Sequence, residues 1–111
     1  MAFQDILPVK LGQAAIGIAV STIYTVPVFT RTFVKDIDIA NNNAVAALVT
    51  VYLVPSAGAA GTSNVLVPNV SIPANTIWQW TGSQILNAGD TIQVIASATG
   101  VTINISGGEA V

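Results

Sequence analysis

The sequence predicts an all-β protein, and three observations carry that prediction. Apolar and polar residues alternate at period two over several segments; turn residues interrupt these segments at short intervals; and no apolar stripe of helical period runs longer than a turn. This is the pattern of a sandwich or barrel of short strands. A length of 111 residues allows one domain with a modest core.

Along the chain, Met1–Leu11 has no clear periodicity. Residues 1–12 are expected to be an N-terminal arm and residues 13–111 the single sandwich domain. In Thr30–Ala40, Phe33, Ile37 and Ile39 are expected on one face, with Thr32, Asp36 and Asp38 on the other. Asn41-Asn42-Asn43 follows where a tight turn is needed, and Asn tolerates positive φ and bonds its own backbone. The next strand, Ala46–Val54, is apolar on both faces, so something must cover each, and one cover is expected to be another chain. Pro55–Asn64 is a loop of small residues. Val65–Ile72 reads as a short strand pair interrupted by Pro68, which suits a sheet edge. After a turn at Pro73-Ala74-Asn75, Thr76–Thr81 places Trp78 and Trp80 on the same face. Gly89-Asp90 supplies a left-handed position and a side-chain cap before Thr91–Ala98, where Ile92, Val94, Ala96 and Ala98 point inward. Val101–Ser106 repeats the alternation with Val101, Ile103 and Ile105, and the short loop between these last two strands predicts an antiparallel hairpin.

Composition limits function. Hydrophobic residues make up 52% of the chain and charged residues 7%, where an ordinary soluble domain carries about a quarter charged. None lies between Asp38 and Asp90. A free monomer ordinarily needs interspersed charge to stay soluble. The two readings are a surface solubilised by Thr, Ser, Asn and Gln, or an exterior largely covered in a permanent assembly; the second is preferred, because obligate interfaces are more apolar than ordinary surface. Three basic residues cannot build a phosphate-binding patch, so nucleic acid is not an expected partner. Leu11–Thr30 and Ala44–Ala60 are uncharged, but Pro27, Pro55, Gly58 and their many polar and β-branched residues argue against membrane spans. Asp5 and Pro8 sit where a signal peptide would be basic or apolar, so secretion is not expected either.

Without His or Cys, nucleophilic triads and the common transition-metal sites are excluded, and no cofactor is expected. The one candidate carboxylate pair is Asp36 and Asp38, about 6.5–7 Å apart on one strand face. Glycosidase pairs come from different elements across a cleft, so two solvated charges are the preferred reading over a weak Ca²⁺ site or an enzyme. Trp78 and Trp80 can plug the core, anchor a protein partner or stack on sugar. Arg31 and Lys35 flank Phe33 and either snorkel at the sheet end or pair with acidic partners. Apolar residues without an evident internal role are the candidate partner contacts: Phe3, Ile6, Leu7 and Pro8 in the arm, Ala57, Gly58 and Thr62 in the loop, and Trp78 and Trp80.

Five segments, Ile23–Pro27, Thr50–Gly58, Ser71–Asn75, Leu86–Ile92 and Ile105–Gly108, together resemble the small β-sandwich proteins of tailed bacteriophages. Among these are capsid decoration proteins, also called cement or staple proteins, and the staple proteins of epsilon15-like phages are the nearest likeness. The resemblance implies a two-sheet antiparallel β-sandwich, jelly-roll-like, made in the host cytoplasm and seated on the outer capsid surface of the virion. Its implied partners are the major capsid protein and other copies of itself, as a homodimer, with no catalytic residue carried over. Related sandwiches in tails and fibres keep open an alternative, a receptor- or carbohydrate-binding module.

Overall fold

Strict alternation in the C-terminal third builds the centre of the molecule. In the computed structural model, which describes residues 6–110, eight strands form two four-stranded antiparallel sheets. They are β1 (Leu7–Ile16), β2 (Ser21–Thr25), β3 (Arg31–Asn41), β4 (Ala47–Val54), β5 (Val65–Ile72), β6 (Thr76–Leu86), β7 (Thr91–Ala96) and β8 (Val101–Ala110). Sheet A has the order β1-β8-β3-β6 and sheet B the order β2-β7-β4-β5. The first strand pairs with the last, the second with the second last, and so inward to the β4–β5 pair. A double ribbon rolled up in this way is an eight-stranded jelly roll.

The core lies between the sheets. Ile37 and Ile39 of β3 and Val101, Ile103 and Ile105 of β8 face Val49 and Val51 of β4 and Ile92 and Val94 of β7, all fully buried. Burying each such side chain contributes about 1.5–3 kcal/mol. Every buried side-chain polar atom among the described residues has a hydrogen-bond partner. Asn41 is the main one: its Nδ2 donates to the carbonyls of Val45 (2.9 Å) and Ile72 (3.0 Å), and its Oδ1 accepts from Asn43 N–H (2.9 Å). It thereby ties the end of β3 in sheet A to the end of β5 in sheet B. The Asn run connects β3 to β4 and bonds its own backbone as expected, but with no positive φ at any of the three residues.

Several expectations change. The predicted β7–β8 hairpin does not form, because β7 lies in sheet B and β8 in sheet A. Both strands bury a full apolar row, and these rows meet across the core instead of lying side by side. Ser97 N–H bonds Leu48 O as the chain crosses over. Phe33 does not share a face with Ile37 and Ile39; Thr32 and Val34 are the inward pair. The register against β8 shifts between Val34 and Asp36, so Lys35 is an extra residue that flips the alternation. The described part of the expected arm from Leu7 onward is strand β1, paired with β8 from Leu7↔Glu109 to Ile16↔Val101. Val65–Ile72 is one edge strand, not a pair, and bulges beside Pro68, where Asn69 has φ 47°. Gly89 takes φ 88°, and Asp90 Oδ2 accepts from Asn87 N–H, as the Gly89-Asp90 reading requires.

A candidate binding surface

The seven connections between strands fall at the two poles of the roll, and the pole that holds three of them and both ends of the described segment gathers most of the predicted contacts. The end of β2, the end of β4, the end of β6 and the starts of β1 and β3 meet there. The β2–β3 turn, the β4–β5 loop and the β6–β7 turn are joined by hydrogen bonds. Val26 N–H donates to Asp90 O (2.9 Å), Gly89 N–H to Val26 O (3.1 Å), and Ser56 N–H to Asp90 Oδ1 (2.9 Å). Ile6, Leu7, Ala57, Gly58 and Thr62 therefore share one end of the molecule. Ile6 and Leu7 are 56% and 59% exposed. The loop is internally braced, not free: Gly58 N–H bonds Pro55 O, and Asn64 bonds Gly61 N–H and Ala59 O around the 3-10 turn Thr62–Asn64. Phe3 lies outside the described residues.

This pole also carries two residues that the sequence reading did not single out. Val28 and Phe29, at the tip of the β2–β3 turn, are 76% and 92% exposed. Phe29 adopts φ 57°, a left-handed conformation that a bulky side chain takes at a cost of about 1–2 kcal/mol. A strained and fully presented phenyl ring at a turn position suited to Gly or Asn is not explained by the fold. The signal in the sequence is the apolar pair directly after Pro27, where turn chemistry calls for polar residues.

Beside it, on the outer face of sheet A, Ile6, Pro8, Phe33, Lys35, Gly107 and Gly108 line a shallow, mainly apolar groove of about 200 Å³. Gly107 is obligatory there: a Cβ would lie 1.9 Å from the Phe33 carbonyl oxygen. The rest of that face is mainly polar, apart from Ile77 and Ile85 on its edge strand. Lys10, Asp36 and Asp38 point outward in register with Ser106, Asn104, Gln79 and Thr81. Arg31 and Lys35 are exposed at its end. By contrast, the outer face of sheet B carries Leu48, Thr50, Tyr52, Gln93 and Ile95 and no charged residue among those described. Among the described residues the charge deficit is thus concentrated on the outer face of sheet B, while Arg31, Asp90 and Glu109 lie at the pole itself.

Asp36 and Asp38 share a face as expected. Gln79 Nε2 donates to Asp36 Oδ1 (3.3 Å), and local burial followed by repulsion from Asp36 raises the Asp38 carboxyl above the usual carboxylate value. Among the described residues, no three acidic side chains cluster as a metal site. Between the sheets near the apolar pole, Tyr24 Oη meets Thr32 Oγ1 (2.6 Å) and donates to Glu109 Oε2. Burial first, and then the Glu109 carboxylate, pushes the Tyr24 phenol up to about 12. This contact pins β8 across the sandwich to β2. Trp78 and Trp80 are brought together on β6, opposite Ile39 and Ile37, and are half-buried against the core. They are not part of the apolar pole.

No family model matches the chain, and no curated protein is similar to it in sequence. Among solved structures, a chain from the structure of infectious bursal disease virus, Gx strain, superposes with a TM-score of 0.55 at 10% identity, over 96% of this chain and 32% of that one. A chain from Bacillus endospore appendages, which form a family of disulfide-linked pili, gives a TM-score of 0.52 at 11% identity, over 98% of this chain and 90% of that one. A chain of the T13 bursal disease virus particle gives 0.52 at 8%, over 96% and 30%. This chain spans about a third of the viral proteins and most of the appendage protein. At such identities the likeness defines the fold class, a jelly-roll β-sandwich.

Proposed function

We propose that this protein is a non-enzymatic structural component of a virion that binds the outside of an assembled icosahedral capsid and staples neighbouring major capsid proteins. The observation that carries the reading is the apolar pole, where a strained Phe29 is held 92% exposed on a chain with only 7% charged residues. A jelly roll shared with chains of a virus particle supports it, as does the uncharged outer face of sheet B. The polar, charged face of sheet A is then the side left to solvent. The physical effect is linkage: a protein that binds only the assembled lattice stabilises that lattice by mass action. Many copies on a repeating surface raise one another's effective concentration, so modest contacts sum to a large total.

A sugar-stacking role for Trp78 and Trp80 is less favoured, since both rings pack against the core instead of forming an open platform. The test is shell stability. Capsids stripped of this protein should lose their contents at a lower temperature than complete capsids, and adding back the purified chain should restore the difference. An unchanged release temperature contradicts the proposal.

A further inference from the structure

An open sheet edge is a row of unpaired backbone donors and acceptors, and proteins that stay monomeric block such rows with Pro, Lys, bulges or short strands. Three of the four edges here are blocked. β1 carries Pro8, Lys10 and a register shift at Lys10/Gly12; β2 has five residues and a shift at Thr22/Tyr24; β5 carries Pro68 and the Asn69 bulge. β6 is different. Its segment Thr76–Thr81 pairs with β3 without interruption from Asn41↔Thr76 to Asp36↔Thr81, contains no charge, Pro or Gly, and has no second neighbour among the described residues. Ile77 on its outer face is 65% exposed.

The chemistry of such an edge selects its partner, because only another strand satisfies alternating N–H and C=O groups. The sequence selects which strand. Ile77-Trp78-Gln79-Trp80-Thr81 is nearly palindromic about Gln79, and a two-fold interface requires self-complementarity of this kind. We infer that two copies of this chain associate through antiparallel β6–β6 pairing with the two-fold axis at Gln79, joining the two A sheets into one eight-stranded sheet. In that register each Trp78 lies opposite Trp80 of the second copy, and the two Gln79 amides face each other as a hydrogen-bonding pair. The half-buried indoles, each packed on its own core, are then covered by the other pair. The inference does not depend on shell binding, which uses the pole and not this edge.

The chain has no Cys, so disulfide trapping has no background. A Gln79→Cys variant should cross-link to its own copy under mild oxidation, because directly opposed residues have Cβ atoms roughly 4.5–5.5 Å apart. Thr81→Cys should not, since its equivalent in the second copy lies about 13 Å along the strand. Gln79→Lys, which can pair with Asp36 in its own chain, should weaken dimerisation by about tenfold or more through opposed like charges, with the far-UV circular dichroism unchanged. If Gln79→Lys fails to fold, the two Cys variants alone decide. A wild-type chain that stays monomeric in sedimentation equilibrium, or equal cross-linking of both Cys variants, overturns the inference.

Discussion

Replacing Phe29 by Asn should make the protein more stable and less functional at once. The ring is 92% exposed, so its removal forfeits almost no packing. Its φ of 57° costs a bulky residue about 1–2 kcal/mol, whereas Asn enters the left-handed region readily. Asn avoids the added chain entropy that Gly would bring to the unfolded state. The net expectation is a gain of about 1 kcal/mol, or roughly 5 °C in Tm for a domain of this size. Urea unfolding should show a higher midpoint with an unchanged slope, since no additional surface is buried. Binding to assembled capsids should fall at least about tenfold per copy, the worth of burying one phenyl ring in a partner. A loss of stability of 1 kcal/mol or more would mean that the ring is held by contacts within the chain, and the account of the pole would be wrong. Unchanged capsid binding by a stabilised variant would refute the anchor role alone.

Asn41→Ala should cost about 3 kcal/mol, because it removes the donor to Val45 and Ile72 and leaves the buried Ile72 carbonyl without that bond; chemical denaturation measures it. Gly107→Ala should cost about 3 kcal/mol or prevent folding, since β3 and β8 must separate to admit the methyl group, and the soluble yield and Tm report this. The Tyr24 phenol is raised to about 12 in the folded state from an unfolded value near 10. The stability that this shift represents is complete below pH 10 and is lost as pH rises from 10 through about 12. Allowing for solvent screening of a partly exposed group, the loss should be about 1 kcal/mol. Tyr24→Phe should remove that alkaline dependence and lower stability at neutral pH by about 1 kcal/mol, by stripping the buried Thr32 hydroxyl of its partner.

Much of the fold was legible where alternation is regular. The inward rows of β7 and β8, the Asn41–Asn43 turn, the Gly89-Asp90 turn and the edge position marked by Pro68 follow from local residue chemistry. What was not legible depends on bulges and on long-range pairing. Lys35 is an ordinary residue in sequence, yet as a bulge it moves Phe33 to the outer face and Thr32 to the core. β1 was read as an arm because Pro8, Gly12 and the shift at Lys10 break its alternation, and its partner β8 lies at the other end of the chain. The β7–β8 connection is short enough for a hairpin, and only the rolled-ribbon topology sends the two strands to opposite sheets. The candidate surface was half visible. Ile6, Leu7 and the loop around Ala57–Thr62 share the pole, whereas Phe29 needed its backbone angle and exposure to stand out.

The most direct measurement is co-sedimentation of the purified chain with assembled capsids and, separately, with soluble major capsid protein. Saturable binding to the particles, absent with the free subunits, is the predicted result. Equal affinity for free subunits, or no binding to any particle by a chain that remains soluble and alone at high concentration, would contradict the account.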